Sequence, residues 1–287
     1  MHVKKQNDME KVEKTDIRQL MEDGGRVAEL LAQMPDSPER DGLLALLAYC
    51  GEGQTPDCEK AFLHARRGME KGDGTACYVL GLMCANGDTP DQRTGGERQL
   101  YDHYDAETFM ERAAQSDSPW AVDAHLWLGD YFMDSCRGED PEEGLAHYRA
   151  AAESDSVEAA EFLADYYDER AEWENFENEE LNRNLYDCQR LAYELNPHDN
   201  ARRYGLLLAL GIGCRPSFRL ARKCLEEDYA FGHPEGAAAL AFIWKRRAAD
   251  AGLPEGERAC CAAQAEKWEG IAARHGALPV EPEEEAR

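Results

Sequence analysis

The chain has 287 residues, of which 43% are hydrophobic and 31% charged, as is usual for a soluble globular protein. Its formal net charge of −26 argues against non-specific binding to nucleic acid or to an anionic membrane, and it favours either simple solubility or a basic partner. No apolar run approaches the roughly 20 residues that a membrane-spanning helix requires, so we expect no membrane segment.

The N-terminal part of the sequence differs from the rest. Residues 1–14 are strongly charged and are predicted to be disordered. They contain no apolar core, so we expect no signal peptide and predict a cytoplasmic protein. Residues 15–40 contain one or two short apolar patterns at helical spacing and are predicted to form a helical cap or a degraded repeat.

The stretch GEGQTPDCEK, which begins at Gly51, has two interpretations. Two glycines followed by a lysine are compatible with a phosphate-binding loop, but they are also compatible with a tight turn between two helices. No strand-like stretch precedes Gly51, and Lys60 does not directly follow the second glycine. Glycine ends helices with a positive φ, and Asp57 can cap the next helix, so we favour the turn.

Similar patterns recur about every 35 to 45 residues, the spacing of helix-pair repeats. Each unit opens with a large residue followed by a small one, and two apolar patterns at helical spacing follow, separated by Gly, Pro or Asp. The opening pairs are Leu44–Ala45, Leu80–Gly81, Leu128–Gly129, Leu163–Ala164, Tyr204–Gly205 and Leu240–Ala241. The small residue lets two helices approach closely. The third residue after it is apolar in every unit and is predicted to be buried.

This pattern resembles the Sel-one-like repeat (SLR) family, which is related to tetratricopeptide repeats. The match covers roughly 41–276 and is clearest in the first, third and fifth units. The resemblance implies an all-α fold, a right-handed α-solenoid of about six helix-pair repeats with a helical N-terminal cap. It also implies an adaptor or scaffold for protein complexes. Residues 277–287 are predicted to form a mobile acidic tail.

Three units carry insertions, which in helical arrays lie on one face and often serve binding. They are NGDTPDQRTGGERQL in the second unit, the segment Glu169–Glu180 in the fourth and AGLPEGER in the sixth. The Glu169–Glu180 segment has six glutamates, two aromatic residues and Arg170 as its only base. Exposed aromatic side chains among carboxylates suit a basic protein surface. The alternative is a helix extension whose aromatic residues pack on a neighbour.

A concave face lined by the first helices would be the binding surface if the tetratricopeptide analogy holds. Its exposed positions lie two residues before each opening leucine and one, four and five residues after the small residue. The predicted partner-binding residues, from these positions and the 169–180 insertion, are Tyr78, Asp130, Asp134, Glu161, Asp165, Asp168, Glu169, Trp173, Phe176, Lys245 and Arg246. The middle of this groove is acidic. Segment 201–247 has nine Lys or Arg against four Asp or Glu, a net +5 that leaves −31 for the remainder.

The sequence offers little for catalysis or for a metal. It contains no GxSxG, HExxH or GxxxxGK[ST] motif, so we expect no enzymatic activity. The ten cysteines form no CxxC and are interpreted mostly as reduced core residues. The segment Pro197–Asn200 (PHDN) has one histidine and one aspartate, but we interpret it as a turn, and we predict neither a metal site nor a cofactor.

The main functional hypothesis is an adaptor that binds a partner protein or peptide, predicted to be basic, in the acidic groove. An alternative is a dedicated inhibitor, such as an immunity protein that neutralises a basic toxin. Enzymatic activity is a third alternative. The acidic residues also have a simpler explanation, because surface charge keeps an elongated array soluble. The sequence predicts neither nucleic acid nor a membrane as partner, and it leaves the oligomeric state open.

Overall fold

The computed structural model describes residues 27, 31–51, 55–89, 103–134 and 140–280, and all regular secondary structure within them is helical. The chain divides between residues 151 and 152 into two compact units, each of them larger than a single repeat. The first contains α1 (Pro38–Cys50), α2 (Cys58–Glu70), α3 (Gly74–Asn86), α4 (His103–Ala114), α5 (Ala121–Met133) and most of α6 (Pro141–Glu153). The second contains α7 (Val157–Trp173), α8 (Glu179–Leu195), α9 (Pro197–Leu210), α10 (Phe218–Ala230), α11 (Pro234–Ala248) and α12 (Glu255–His275). The all-α prediction is confirmed.

Within each unit, helices pack on their neighbours in sequence, and first helices also contact the next first helix, as α1 does α3 and α9 does α11. This nearest-neighbour packing is the defining property of a helical-repeat solenoid. The segment before α1 contributes to the first core, because Val27 and Leu31 are 5% and 2% exposed. Several predicted segments lie outside the described residues. They are segment 1–14, most of the predicted cap, much of the insertion in the second repeat and the tail from residue 281.

The two ends of the glycine-containing stretch after α1 end one helix and begin the next. Gly51 ends α1 with a φ of 73°, a left-handed conformation that suits glycine. Asp57 begins α2, and its side chain accepts a hydrogen bond from the backbone N–H of Lys60 at 3.0 Å. Gly87 and Gly211 end α3 and α9 in the same way, with φ of 72° and 79°. The interpretation of these glycines as helix-ending turn residues is therefore confirmed in three repeats.

The small residue after each opening leucine marks a close helix–helix contact. A Cβ atom built on Gly129 would lie 2.8 Å from the ring of Tyr148, and one on Gly81 would lie 2.9 Å from Met110. The predicted helical phase is confirmed by burial three residues further on: Ala48, Cys84, Phe132, Tyr167 and Leu208 are all less than 9% exposed. Trp244, the corresponding residue of the last repeat, is only partly buried.

Two segments differ from a sequence-based interpretation. The insertion at 169–180 is not one loop: α7 continues to Trp173, as the helix-extension alternative predicted, and α8 begins at Glu179, so both helices reach 17 residues. The segment Pro197–Asn200 is not a turn but the first turn of α9, which follows α8 after a single residue. Proline at the first helical position explains this start, because it lacks an N–H that would be unsatisfied there.

Cysteine burial agrees in part with the sequence. Among the described residues, four cysteines lie in the core, whereas Cys50 and Cys260 are exposed. The four buried cysteines are Cys77, Cys84, Cys224 and Cys261. Within the described ranges, no helix is both long enough and apolar enough to span a membrane.

Candidate functional site

The predicted site residues of the first unit lie on α3 and α5. Asp130 is exposed on the last turn of α5, and Asp134 is exposed directly after the helix as its C-cap. The Tyr148 hydroxyl donates a hydrogen bond of 2.5 Å to Asp130 Oδ1, which fixes that carboxylate against α6. Tyr78 is only partly exposed, because its ring packs against the hydrophobic clusters of this unit. Part of the Tyr78 side chain therefore has a structural role.

In the second unit the predicted acidic residues lie along α7, but two of them are used inside the unit. Glu161 accepts hydrogen bonds from the side-chain amides of Asn196 and Asn200, at 3.0 and 2.7 Å. Asp165 forms an ion pair with Arg203 of α9. These contacts hold α7 against the start of α9. They also leave the remaining carboxylates as the stronger candidates for binding a partner.

Those carboxylates are Asp168, Glu169 and Glu172, which follow Asp165 at spacings of three, four and seven residues and so share one side of α7. Asp168 and Glu172 line a cavity of about 220 Å³, together with the Arg203 side chain and an apolar wall that includes Leu206. Burial is the main cause that raises the pKa of Asp168, and the nearby carboxylates raise it further, while Arg203 opposes them. One guanidinium thus leaves this group of carboxylates short of positive charge.

The end of α7 presents a tryptophan to solvent. Trp173 is 88% exposed, the most exposed of the large hydrophobic side chains among the described residues. Burial is the usual state of so large an apolar ring, so full exposure at a fixed place on a helix marks a candidate contact. The alternative of a tryptophan packed on a neighbour was therefore wrong. Phe176, by contrast, is half-buried and lines the same cavity as Asp168.

The turn after Trp173 is held by several hydrogen bonds. The N–H of Phe176 donates to the carbonyl of Ala171 at 2.7 Å, and the amide of Asn182 donates to the Phe176 carbonyl at 2.7 Å. Asn178 caps α8 by accepting from the N–H of Leu181 at 3.2 Å. Phe176 has a φ of 56°, which is uncommon for a bulky residue and persists only where the surroundings enforce it. These contacts fix the chain direction directly after Trp173.

The basic residues predicted near the C-terminal end occupy a different place. Lys245 pairs with Glu269 of α12, and both line a cavity of about 520 Å³ with Arg246 and the apolar side chains of Phe242 and Val280. The ion pair reduces the local positive charge that segment 201–247 carries in the sequence.

Sequence reasoning missed two residues of the α7 surface. Glu172 lies on the same helical side as Asp165 and Asp168, and the helical period alone predicts this once α7 is known to reach Trp173. Arg203 was missed for a different reason, since only the packing of α9 on α7 brings it to Asp165.

Comparison with known proteins identifies the fold. No protein-family model and no curated protein matches the sequence. Among solved structures, the chain is similar to a Sel1 repeat protein from Oxalobacter formigenes, with a TM-score of 0.51 and 17% identity over 92% of this chain and 100% of that one. It also matches a protective antigen with an SLR fold from uropathogenic Escherichia coli strains, at 18% identity and a TM-score of 0.39, over 92% of this chain and 57% of that one.

The fold and the likeness to the Oxalobacter structure together define the class as an α-helical repeat protein. More particularly, the likeness to the Oxalobacter structure shows that the repeats have the Sel1 fold, which confirms the resemblance expected from the sequence. At 17% identity this likeness shows the fold alone.

Proposed function

We propose that this helical-repeat chain is a protein-interaction adaptor, and that the surface at the C-terminal end of α7 binds a basic segment of a partner protein. We call Asp165, Asp168, Glu169, Glu172 and Trp173 the α7 acidic surface. The single observation that carries this proposal is the exposed indole of Trp173 beside four carboxylates, of which only Asp165 forms an ion pair within the described residues.

The energetics of α7 support a cationic partner. Like charges three or four residues apart destabilise a helix by a few tenths of a kcal/mol per pair. The neighbouring Arg170 is held on Tyr166, with its guanidinium carbon 4.9 Å from the ring centroid. Glu169 and Glu172 form no ion pair within the described part of the chain. A lysine or arginine from a partner would remove the repulsion, and it would also gain a cation–π contact with Trp173.

The position of Trp173 also favours binding over mere solubility. Charged side chains alone keep a protein soluble, whereas an exposed tryptophan works against it. Tryptophan is the residue type most enriched among interface residues that dominate binding energy. Because the following turn is held by hydrogen bonds, little conformational entropy is lost when a partner orders this segment.

A second candidate function is the dedicated inhibition of one basic protein. The net charge of −26 favours it, because such a charge accelerates association with a cationic partner at low salt. An inhibitor binds one partner very tightly, whereas an adaptor binds several partners more weakly. A cytoplasmic location remains a prediction in either case.

The test is comparative capture of proteins from the native lysate at low and at high salt, with identification by mass spectrometry. The bait proteins are the wild-type chain, a Glu169→Gln/Glu172→Gln variant, and a matched control that neutralises Glu257 and Glu266, two exposed glutamates of α12. We expect basic proteins to be captured at low salt, to be lost at high salt, and to be reduced only in the α7 variant. One dominant protein would favour the inhibitor. Equal capture by all three baits would rule out the α7 acidic surface.

A further inference from the structure

Two histidines and an aspartate meet where two first helices of the second unit begin. His198 and Asp199 lie in the first turn of α9, and His233 directly precedes α11. One potential ligand atom of each residue lies within 4.8 Å of the other two. The rings of His198 and His233 are perpendicular, with centroids 4.7 Å apart. These three residues, which we call the His–Asp cluster, are separate from the α7 acidic surface.

The orientation of His233 is fixed by a buried carboxylate. Its Nδ1 lies 2.8 Å from Asp228 Oδ1, and Asp228 is only 2% exposed. Because a carboxylate accepts, Nδ1 carries a proton, and in the neutral imidazole the lone pair of Nε2 is then available to a metal. Metal-binding histidines commonly donate their second ring nitrogen to such a carboxylate, which sets the tautomer and raises the basicity of the ligand nitrogen.

Asp228 provides a second, independent indication of a cation. Its Oδ2 is buried and makes no hydrogen bond to the described residues. A buried carboxylate with an unsatisfied oxygen is costly, and a positive charge beside its hydrogen-bonded histidine would offset that cost. The amino ends of α9 and α11 oppose a cation through their dipoles. The two carboxylates of Asp199 and Asp228 supply negative charge that counters this effect.

The remaining members of the cluster are positioned by polar and aromatic contacts. Asp199 Oδ1 lies 2.7 Å from His198 Nδ1, and its Oδ2 accepts a hydrogen bond of 2.9 Å from Asn196, whose side-chain amide also donates to Glu161. The ring of His198 lies against Phe231, with centroids 5.2 Å apart. The cluster is thus supported by α7, by the start of α9 and by the turn before α11.

We propose that the His–Asp cluster binds a divalent transition-metal ion, with Zn²⁺ as the best fit. Two imidazole nitrogens and one carboxylate oxygen are ligands that Zn²⁺ accepts at about 2.0–2.2 Å, so the residues close slightly around the ion. Because the side chains of His198 and Asp199 are 55% and 63% exposed, a fourth position stays open to water or to a side chain of another protein. The ion joins the starts of α9 and α11 and stabilises the second unit.

The test is calorimetric titration of Zn²⁺ into the full chain, with His198→Asn and His233→Asn as ligand variants. His275→Asn is the matched control, since His275 is an exposed histidine of the same unit outside the cluster. Cysteines also bind Zn²⁺, so the number of bound Zn²⁺ equivalents is compared between the wild type and the variants. We expect the wild type and the control to bind one equivalent more than either ligand variant. Asp228→Asn should weaken that equivalent by about 10- to 100-fold.

A second measurement on the wild-type chain does not depend on how variants fold. Diethyl pyrocarbonate modifies accessible histidines, and mass spectrometry locates the adducts. We expect Zn²⁺ to protect His198 and His233 but not His275. Equal Zn²⁺ binding in all variants, or unchanged modification of the cluster with Zn²⁺, would overturn the proposal. The capture of basic proteins at α7 is a separate readout, so either proposal can fail alone.

Discussion

Replacing Gly129 by alanine tests how closely α5 and α6 pack. The new Cβ would lie 2.8 Å from two carbons of the Tyr148 ring, whereas carbon atoms in contact prefer about 3.5–4.0 Å. The ring cannot turn away easily, because it is 3% exposed and its hydroxyl is bonded to Asp130. One helix must therefore shift by several tenths of an ångström.

The net effect of this change is the sum of two opposing contributions. Overpacking costs about 1–3 kcal/mol. Alanine recovers about 1 kcal/mol relative to glycine through its higher helix propensity. We therefore expect Gly129→Ala to lower the free energy of unfolding by about 1 kcal/mol, and the melting temperature by about 2–4 °C. Urea denaturation followed by circular dichroism measures both the midpoint and the slope.

Gly270→Ala is the matched control. Gly270 lies inside α12, and a Cβ atom there would have no neighbour within 4 Å. Only the propensity gain remains, so this variant should be more stable by about 0.5–1 kcal/mol. Tyr148→Leu in the Gly129→Ala background should recover part of the loss. If Gly129→Ala were as stabilising as Gly270→Ala, the close approach of α5 and α6 would be refuted.

Three further predictions concern titration and surface exposure. Burial raises the pKa of Asp73 to about 6 from 3.8, so the charged form of this carboxyl is unfavourable in the folded state. The Asp73→Asn variant should therefore be more stable than the wild type by about 1–2 kcal/mol above pH 6. This difference should disappear below pH 4, as measured by the midpoints of urea denaturation. Burial, with repulsion from His125, lowers the pKa of His147 to about 4 from 6.5. Below pH 6.5 the unfolded chain binds a proton at His147 more readily than the folded chain does. The free energy of unfolding should therefore fall by about 1–2 kcal/mol between pH 6.5 and pH 4, and His147→Gln should flatten this pH dependence. Trp173→Ser should change the unfolding free energy by less than about 0.5 kcal/mol while reducing partner capture, because the indole has few contacts to lose.

The repeat pattern predicted much of the fold, because its signals are local. A glycine after a leucine specifies a close helix contact, as at Gly81 and Gly129, and a glycine with positive φ ends a helix, as at Gly51. The helical period then places the apolar residue three positions on inside the core. The helical period predicted burial less well in the last repeat, where Trp244 is only partly buried.

The site was less accessible to sequence reasoning, because its properties depend on contacts between helices. Glu161 has the charge and phase of a binding residue, yet it is used to hold Asn196 and Asn200. Asp165 is paired with Arg203, which lies 38 positions further on. His233 joins His198 only because the starts of α9 and α11 are adjacent. Spacing within one helix predicts none of these contacts.

The most direct test of the proposed function is site-specific photo-crosslinking at position 173. A photoreactive phenylalanine analogue replaces Trp173 in one version of the chain and Leu63, a 60% exposed residue of α2, in another. After irradiation in the native lysate, we predict covalent adducts with basic proteins at position 173 and not at position 63. Adducts at position 63 alone, or the same adducts at both positions, would contradict a binding role for the α7 acidic surface.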